Sequence, residues 1–239
     1  MLIIQTVNQK SEQGHSEPFL CTAANGEEYF VKGKLSGRTS QINEWLCACM
    51  AEAIGLPIAP FTLLEICEDL YDELPKHLIE IGKGICFGSL AQKNYALLEA
   101  GDVHKVPIDL QRKIAAFDWL IKNEDRTLGN TNLLYRDGNN PLIVIDHNLA
   151  FDKNFNKASF LQNHIFAHAF SEIFDDFCLQ IEMEDYLAPA LPAYQRACDN
   201  CPTSWEWIND ENDLPADYDF AFAQSTLNQL TEKSFWSRK

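Results

Sequence analysis

Along the first third of the chain, hydrophobic and polar positions tend to alternate; further on, hydrophobic residues recur every three to four positions. LIIQTV, PFLCTA and EEYFVKG read as strands, with Asn25-Gly26 as the hairpin turn between the second and third. SQINEWLCACMAEAIG reads as a helix, because Ile42, Trp45, Leu46, Cys49, Met50 and Ala53 fall on one face. Gly55 stops that helix and Pro57 prevents its resumption. PFTLLEI and GICFGSL predict two further strands, and CEDLYDELPKHLIEIG between them reads as short helix and loop. In DLQRKIAAFDWLIKN the residues Leu110, Ile114, Phe117 and Ile121 repeat at helical spacing. TNLLY and PLIVID are two short strands joined by the turn-rich RDGNNP, and from about Ala158 the pattern is mostly helical. A sheet-rich part followed by a helix-rich part predicts an α+β chain of two lobes with a cleft between them.

Composition narrows the function. The chain has 239 residues, 46% of them hydrophobic, enough for a sizeable core. A formal net charge of −16 disfavours a nucleic-acid backbone or an anionic membrane as partner. No apolar run approaches the roughly 18 residues of a membrane span. The start, MLIIQTVNQK, lacks the features of a secretory signal, so the eight scattered cysteines are expected as reduced thiols in the cytoplasm. Cys47 and Cys49 read as packing residues. Cys198 and Cys201 form a C-x-x-C, and His164 and His168 stand at i, i+4. Together they offer four zinc ligands, but the order is unusual, and ordinary thiols are the expectation.

The chemistry concentrates in NEDRTLGN, Asn123 to Asn130, and in Asp146 at the end of PLIVID. Phosphoryl transfer needs a carboxylate to orient the attacking hydroxyl, and a second carboxylate with an amide oxygen to hold Mg²⁺ against the phosphates. Asp125 and Asn130 have the D-x-x-x-x-N spacing of a protein-kinase catalytic loop. The hairpin predicted from TNLLY and PLIVID places Asn130 and Asp146 at the same end of two paired strands. Asn123 and Arg126 are expected to brace the loop, and Asn132 to face the hairpin. GKLSGRTS, Gly33 to Ser40, falls short of a P-loop because Arg38 follows Gly37 where lysine is required. Arg38 is carried as a phosphate contact, with a solvated loop arginine as the alternative.

These motifs resemble the HipA-like kinases, in particular the short HipA-like kinase domain proteins, and are similar in motif to the type II phosphatidylinositol 4-kinases. The resemblance lies in NEDRTLGNTNLL followed by LIVIDHNLAF, in Tyr29-Phe30-Val31-Lys32, and in Asn43-Glu44-Trp45 leading into AEAIGLPIAP. It implies a two-lobed protein-kinase-like fold, with a small antiparallel-sheet lobe bearing one helix (1–90, nucleotide-binding) and a larger, mainly helical catalytic lobe (91–239). It implies Asp125 as the catalytic aspartate, Asn130 and Asp146 as metal ligands, Lys32 as the phosphate-contacting lysine and Glu44 as its partner. The cofactors implied are ATP and Mg²⁺, and the acceptor a protein Ser/Thr hydroxyl. There is no H-R-D, and Asp146-His147-Asn148 stands in place of D-F-G, as in these atypical kinases. The chain is too short for the extra N-terminal subdomain of full-length HipA toxins, so their substrate and antitoxin surface are not carried over.

Alternative readings are a lipid or small-molecule kinase, transfer of AMP, and a non-catalytic nucleotide-binding module of a toxin–antitoxin or defence system. Near the C-terminus, WEWINDENDLPADYDFAF interleaves Trp205, Trp207, Tyr218 and Phe220 with acids. This segment is expected to anchor against the large lobe, or else to dock a basic protein partner.

Overall fold

In the computed structural model, which describes residues 1–11, 17–138 and 142–237, the chain is a mixed α+β fold with eight α-helices among the described residues. It divides into two compact units: Met1–Trp45, Ala59–Lys93 and Asn200–Tyr218 form one, and Leu46–Ile58, Asn94–Asp199 and Asp219–Lys239 the other.

The alternating segments of the first unit become β1 (Leu2–Lys10), β2 (Phe19–Ala23), β3 (Glu28–Lys32), β4 (Phe61–Ile66) and β5 (Gly84–Leu90). Their order is β1-β2-β3-β5-β4, closed into a barrel by parallel pairing of Leu2 with Leu64 and Ile3 with Glu65. Closure goes beyond the antiparallel sheet expected from the sequence. β1 runs past LIIQTV to Lys10 and has two register shifts against β2, and such irregularities increase strand twist until the ends of a small sheet meet. Inward residues alternate along β2 and at the end of β4, while the irregular β1 buries Ile4 and Val7 three positions apart. They pack as one core, including Ile4, Phe19, Cys21, Val31, Leu64 and Cys86. Burial pushes the Cys21 and Cys86 thiols up to about 12, so both stay protonated. The ambiguous CEDLYDELPKHLIEIG resolves into α2 (Glu68–Asp72) and a 3₁₀ turn at Ile79–Ile81. A Cβ on Gly33 would lie 2.1 Å from the Ile81 carbonyl oxygen, so only glycine fits directly after Lys32. The helix α1 (Arg38–Ala53) begins in this unit.

Up to Tyr218 the acidic aromatic segment belongs to the barrel unit, which corrects the expectation that it anchors on the larger lobe; Phe220 belongs to the second unit, where its carbonyl accepts from the Tyr194 hydroxyl at 2.9 Å. Trp205 is buried, and its indole N–H needs an acceptor, which it finds in the Ile85 carbonyl of β5 at 2.9 Å.

In the second unit, β6 (Ala96–Leu97), β7 (Leu133–Tyr135) and β8 (Leu142–Val144) form an antiparallel sheet. The turn residues 139–141 of RDGNNP lie outside the described residues. The helices are α3 (Ile108–Leu120), α4 (Lys157–Asn163), α5 (Ala167–Asp175), α6 (Phe177–Leu187), α7 (Ala190–Asp199) and α8 (Phe220–Asn228). Ile114 through Ile121 are all buried. Around the Trp119 ring lie Phe155, Phe160, Phe170 and Phe174, each with centroids within 5.7 Å of it. This aromatic cluster fixes the C-terminal end of α3, from which the acidic loop departs. No helix among the described residues is long and apolar enough to cross a membrane.

Candidate active site

The helix α3 stops at Leu120 because Lys122 turns into a left-handed conformation (φ 55°) and the Asn123 N–H closes back on the Asp118 carbonyl at 2.9 Å. The loop that follows is built around one buried ionic centre. Asp118 and Arg126 are both fully buried, with Nε to Oδ2 at 2.7 Å. Asn123 donates to Asp118 Oδ1 at 3.0 Å. Arg126 then reaches across with Nη1 to the carbonyls of Asn132 at 2.5 Å and Ile145 at 3.2 Å. One guanidinium therefore ties the loop to the first residues beyond the paired ends of β7 and β8. Asn123 and Arg126 brace the loop, as their place in the motif implies.

His164 completes the centre, and it is not a zinc ligand in this arrangement. Its Nδ1 accepts from the Phe166 N–H at 3.1 Å, so Nε2 carries the proton and donates to Asp118 Oδ2 at 3.1 Å. The ring is neutral in this arrangement; burial pushes its pKa down against the pull of Asp118. Burial opposes ionisation of Asp118 too, but Arg126 and His164 outweigh it and hold the carboxyl well below the usual range. His168, one turn on, has an exposed side chain. Among the described residues no group of three His, Cys, Asp or Glu side chains is arranged to hold a metal ion.

Upon this brace stand the residues singled out for chemistry. Asp125 Oδ2 accepts from Asn130 Nδ2 at 2.9 Å and from Asn132 Nδ2 at 2.8 Å. Asn132 thus joins the site instead of facing the hairpin; its left-handed backbone (φ 49°) turns the side chain back toward the loop. Thr127 and Asn130 close the loop with reciprocal backbone hydrogen bonds of 2.9 and 3.2 Å. Because Asn130 gives its N–H₂ group to Asp125, its amide oxygen is the atom left for a cation. β8 is buried along its length, pairs Val144 with Leu133, and donates from the Val144 N–H to the Pro57 carbonyl at 2.7 Å. The Ile145 N–H bonds the Asn132 carbonyl at 3.1 Å, and Asp146 follows in a left-handed conformation (φ 59°). Asn130 and Asp146 accordingly flank the same end of the β7–β8 pair.

In the barrel unit, Lys32 and Glu44 form a buried ion pair, 7% and 4% exposed. Arg38 is a helical residue with protein partners, not a solvated loop arginine. It opens α1, half-buried, and donates from Nε to the Trp207 carbonyl at 3.0 Å and from Nη1 to Gln41 Oε1.

Lys122 precedes the loop and was not singled out from the sequence. Its ammonium lies 4.8 Å from the Trp119 ring and 4.9 Å from Phe155. Burial pushes its pKa down to about 8, and Lys157 adds to the effect. Below that value the protein encloses a charge that water solvates better, while the unfolded chain keeps its proton to about 10.5. Stability should therefore rise between pH 8 and 10.5, and Lys122→Met should abolish the rise, as urea unfolding across that range will show.

A sequence model of the family described as HipA-like kinase matches residues 4–239. No curated protein matches the chain.

Proposed function

Because the chain belongs to the HipA-like kinase family, we propose that it is an ATP- and Mg²⁺-dependent kinase that phosphorylates a Ser or Thr hydroxyl of a protein. The fold reading that goes with it is the two-lobed protein-kinase arrangement, with residues 1–90 serving the nucleotide and 91–239 carrying catalysis. The observation that supports it best is the pair of amides on one oxygen of Asp125. Oδ2 is held by Asn130 and Asn132, so Oδ1 is the oxygen left to meet a substrate hydroxyl.

The donor set suits Mg²⁺. One carboxylate, Asp146, and one amide oxygen, from Asn130, are hard ligands, and phosphate oxygens and water ordinarily fill the remaining positions around this ion. Bound there, the ion would neutralise charge on the phosphoryl group in transit. Asp125 orients the hydroxyl and takes its proton as the new oxygen–phosphorus bond forms and the bond from the γ-phosphorus to the bridging oxygen of ADP breaks, ADP leaving. Lys32, kept in place by Glu44, contacts the nucleotide phosphates. Arg126 holds the Asn132 and Ile145 carbonyls, so the acid and the metal ligands stay in register without reorganising during the reaction. In this reading Arg38 supports the small lobe, given the contacts it already makes, and is not needed at the phosphates.

A net charge of −16 weighs against an inositide at a membrane surface. The test is to supply ATP labelled at the α- or the γ-phosphate to proteins, inositides and sugars in parallel. Label from the γ position on protein Ser or Thr is the expected result. Label from the α position means AMP transfer, and label confined to inositides or sugars replaces the protein acceptor; either overturns the proposal. Binding of ATP with no transfer to any acceptor leaves a nucleotide-binding module.

A further inference from the structure

We propose that residues 200–218 are a strap whose polar contacts position α1, and through it Glu44 and Lys32, for nucleotide binding; this rests on the phosphotransfer reading above. An acidic tail lying loosely on the barrel would need only apolar contact. This segment instead makes directed hydrogen bonds to the helix that carries Glu44.

The strap has its own internal structure. The Ile208 N–H bonds the Leu214 carbonyl and the Ala216 N–H the Glu206 carbonyl, both at 2.8 Å, and Trp207 bridges Pro215. Asn209 Oδ1 accepts from the Leu214 N–H at 3.1 Å and pins the turn between them. Trp205, 1% exposed, anchors this unit to β5 through the Ile85 carbonyl, and the Arg38 guanidinium lies 5.8 Å from the Trp205 ring. Asp210 pairs with Lys34 just ahead of α1.

Two routes lead from the strap to the ion pair. In the first, the Trp207 carbonyl accepts from Arg38 Nε at 3.0 Å, and Arg38 Nη1 donates to Gln41 Oε1. Gln41, 1% exposed, then donates from Nε2 to the main-chain carbonyl of Lys32 at 2.8 Å. In the second, the Tyr218 hydroxyl donates to Asn43 Oδ1 at 2.7 Å, next in sequence to Glu44. Arg38 and Asn43 lie five positions apart, so the strap holds α1 at two points more than a turn apart and fixes both its axial position and its rotation. A lysine–glutamate pair of this kind serves phosphotransfer only when the helix bearing the acid is in place. Arg38, Trp205 and Tyr218 are thus positioning residues, and none touches the substrate.

The decisive variants are Tyr218→Phe, which removes one hydroxyl, and Arg38→Lys, which keeps the charge but loses the two-point contact. Both retain the apolar anchor of Trp205. Calorimetry should show Mg·ATP binding weakened about three- to tenfold in each, the range one lost hydrogen bond produces. Amide hydrogen exchange over residues 41–46 should speed up, and KM for ATP should rise while KM for the acceptor holds. Unchanged exchange and unchanged Mg·ATP affinity, with only a lower Tm, would overturn the proposal by reducing the strap to a stabilising element. A wild-type protein that binds Mg·ATP but transfers nothing removes the kinase reading, while affinity and exchange still decide the strap. A wild-type protein that binds no Mg·ATP overturns both.

Discussion

Asp125→Ala is expected to lower phosphoryl transfer by about 10²- to 10⁴-fold, the contribution of a positioned general base. The side chain is half-buried, and its partners, Asn130 and Asn132, are amides that can turn to water once it is gone. The fold should persist, since the loop is held by Arg126, which Asp125 does not touch. Asp125→Asn separates proton acceptance from packing: it keeps the volume, loses the acceptor charge, and should be nearly as impaired. Asp146→Asn should fall by a comparable factor through loss of a metal ligand. Initial rates with ATP labelled at the γ-phosphate, paired with circular dichroism of each variant, check this. Wild-type turnover in either Asp125 variant would remove the role assigned to it.

The largest effect on stability is expected from Arg126→Ala. This substitution removes the cation from the fully buried, ionised Asp118, leaving it only the neutral donors Asn123 and His164, and frees the carbonyls of Asn132 and Ile145. Breaking a buried, hydrogen-bonded ion pair from one side costs about 3–5 kcal/mol. Urea unfolding should show that loss as a lowered midpoint. The same centre sets the acid limit. Asp118 titrates well below its usual range in the fold, so its contribution is fully present above about pH 4 and drains away as pH falls toward the folded value. His164 acts in the same direction, because its folded pKa is depressed and the unfolded chain takes up a proton below about pH 6.5. Stability should therefore decline in two stages on acidification, and His164→Phe should blunt the earlier one. A protein equally stable at pH 7 and pH 4.5 would contradict this account of the centre.

The local elements were readable because their patterns are local. The barrel strands, the helices α1 and α3 and the β7–β8 pair all appear where the local patterns place them. The helical stripes are broader than expected: Ala53 of the α1 face is exposed while Cys47, Ala48 and Ala51 off that face are buried, and α3 is buried all round from Ile114. Barrel closure was not readable, since it depends on pairing β1 with β4 across some sixty residues and on bulges that carry no residue signature. The ionic centre does leave a signal in the sequence. Asp118 sits inside AAFDWLI, a run buried on every side, where an acid needs a buried partner. The loop motif marks its partner Arg126 only as a brace, and the i, i+4 spacing pairs His164 with the exposed His168 instead of with Asp118. The strap illustrates a further limit. Alternating acids and aromatics say that a segment is amphipathic, but which carbonyl an indole will find depends on the folded surface beneath it.

The central claim is that Asn130 and Asp146 jointly hold the divalent ion of bound ATP. Mn²⁺ in place of Mg²⁺ reports this directly, through the loss of the free-ion electron paramagnetic resonance signal as protein is added with ATP. The account predicts saturable Mn²⁺ uptake by the wild type only when ATP is present, weakened at least about tenfold by Asn130→Ala or Asp146→Asn, the worth of one ligand on the affinity scale. Uptake of equal strength in all three proteins would contradict it.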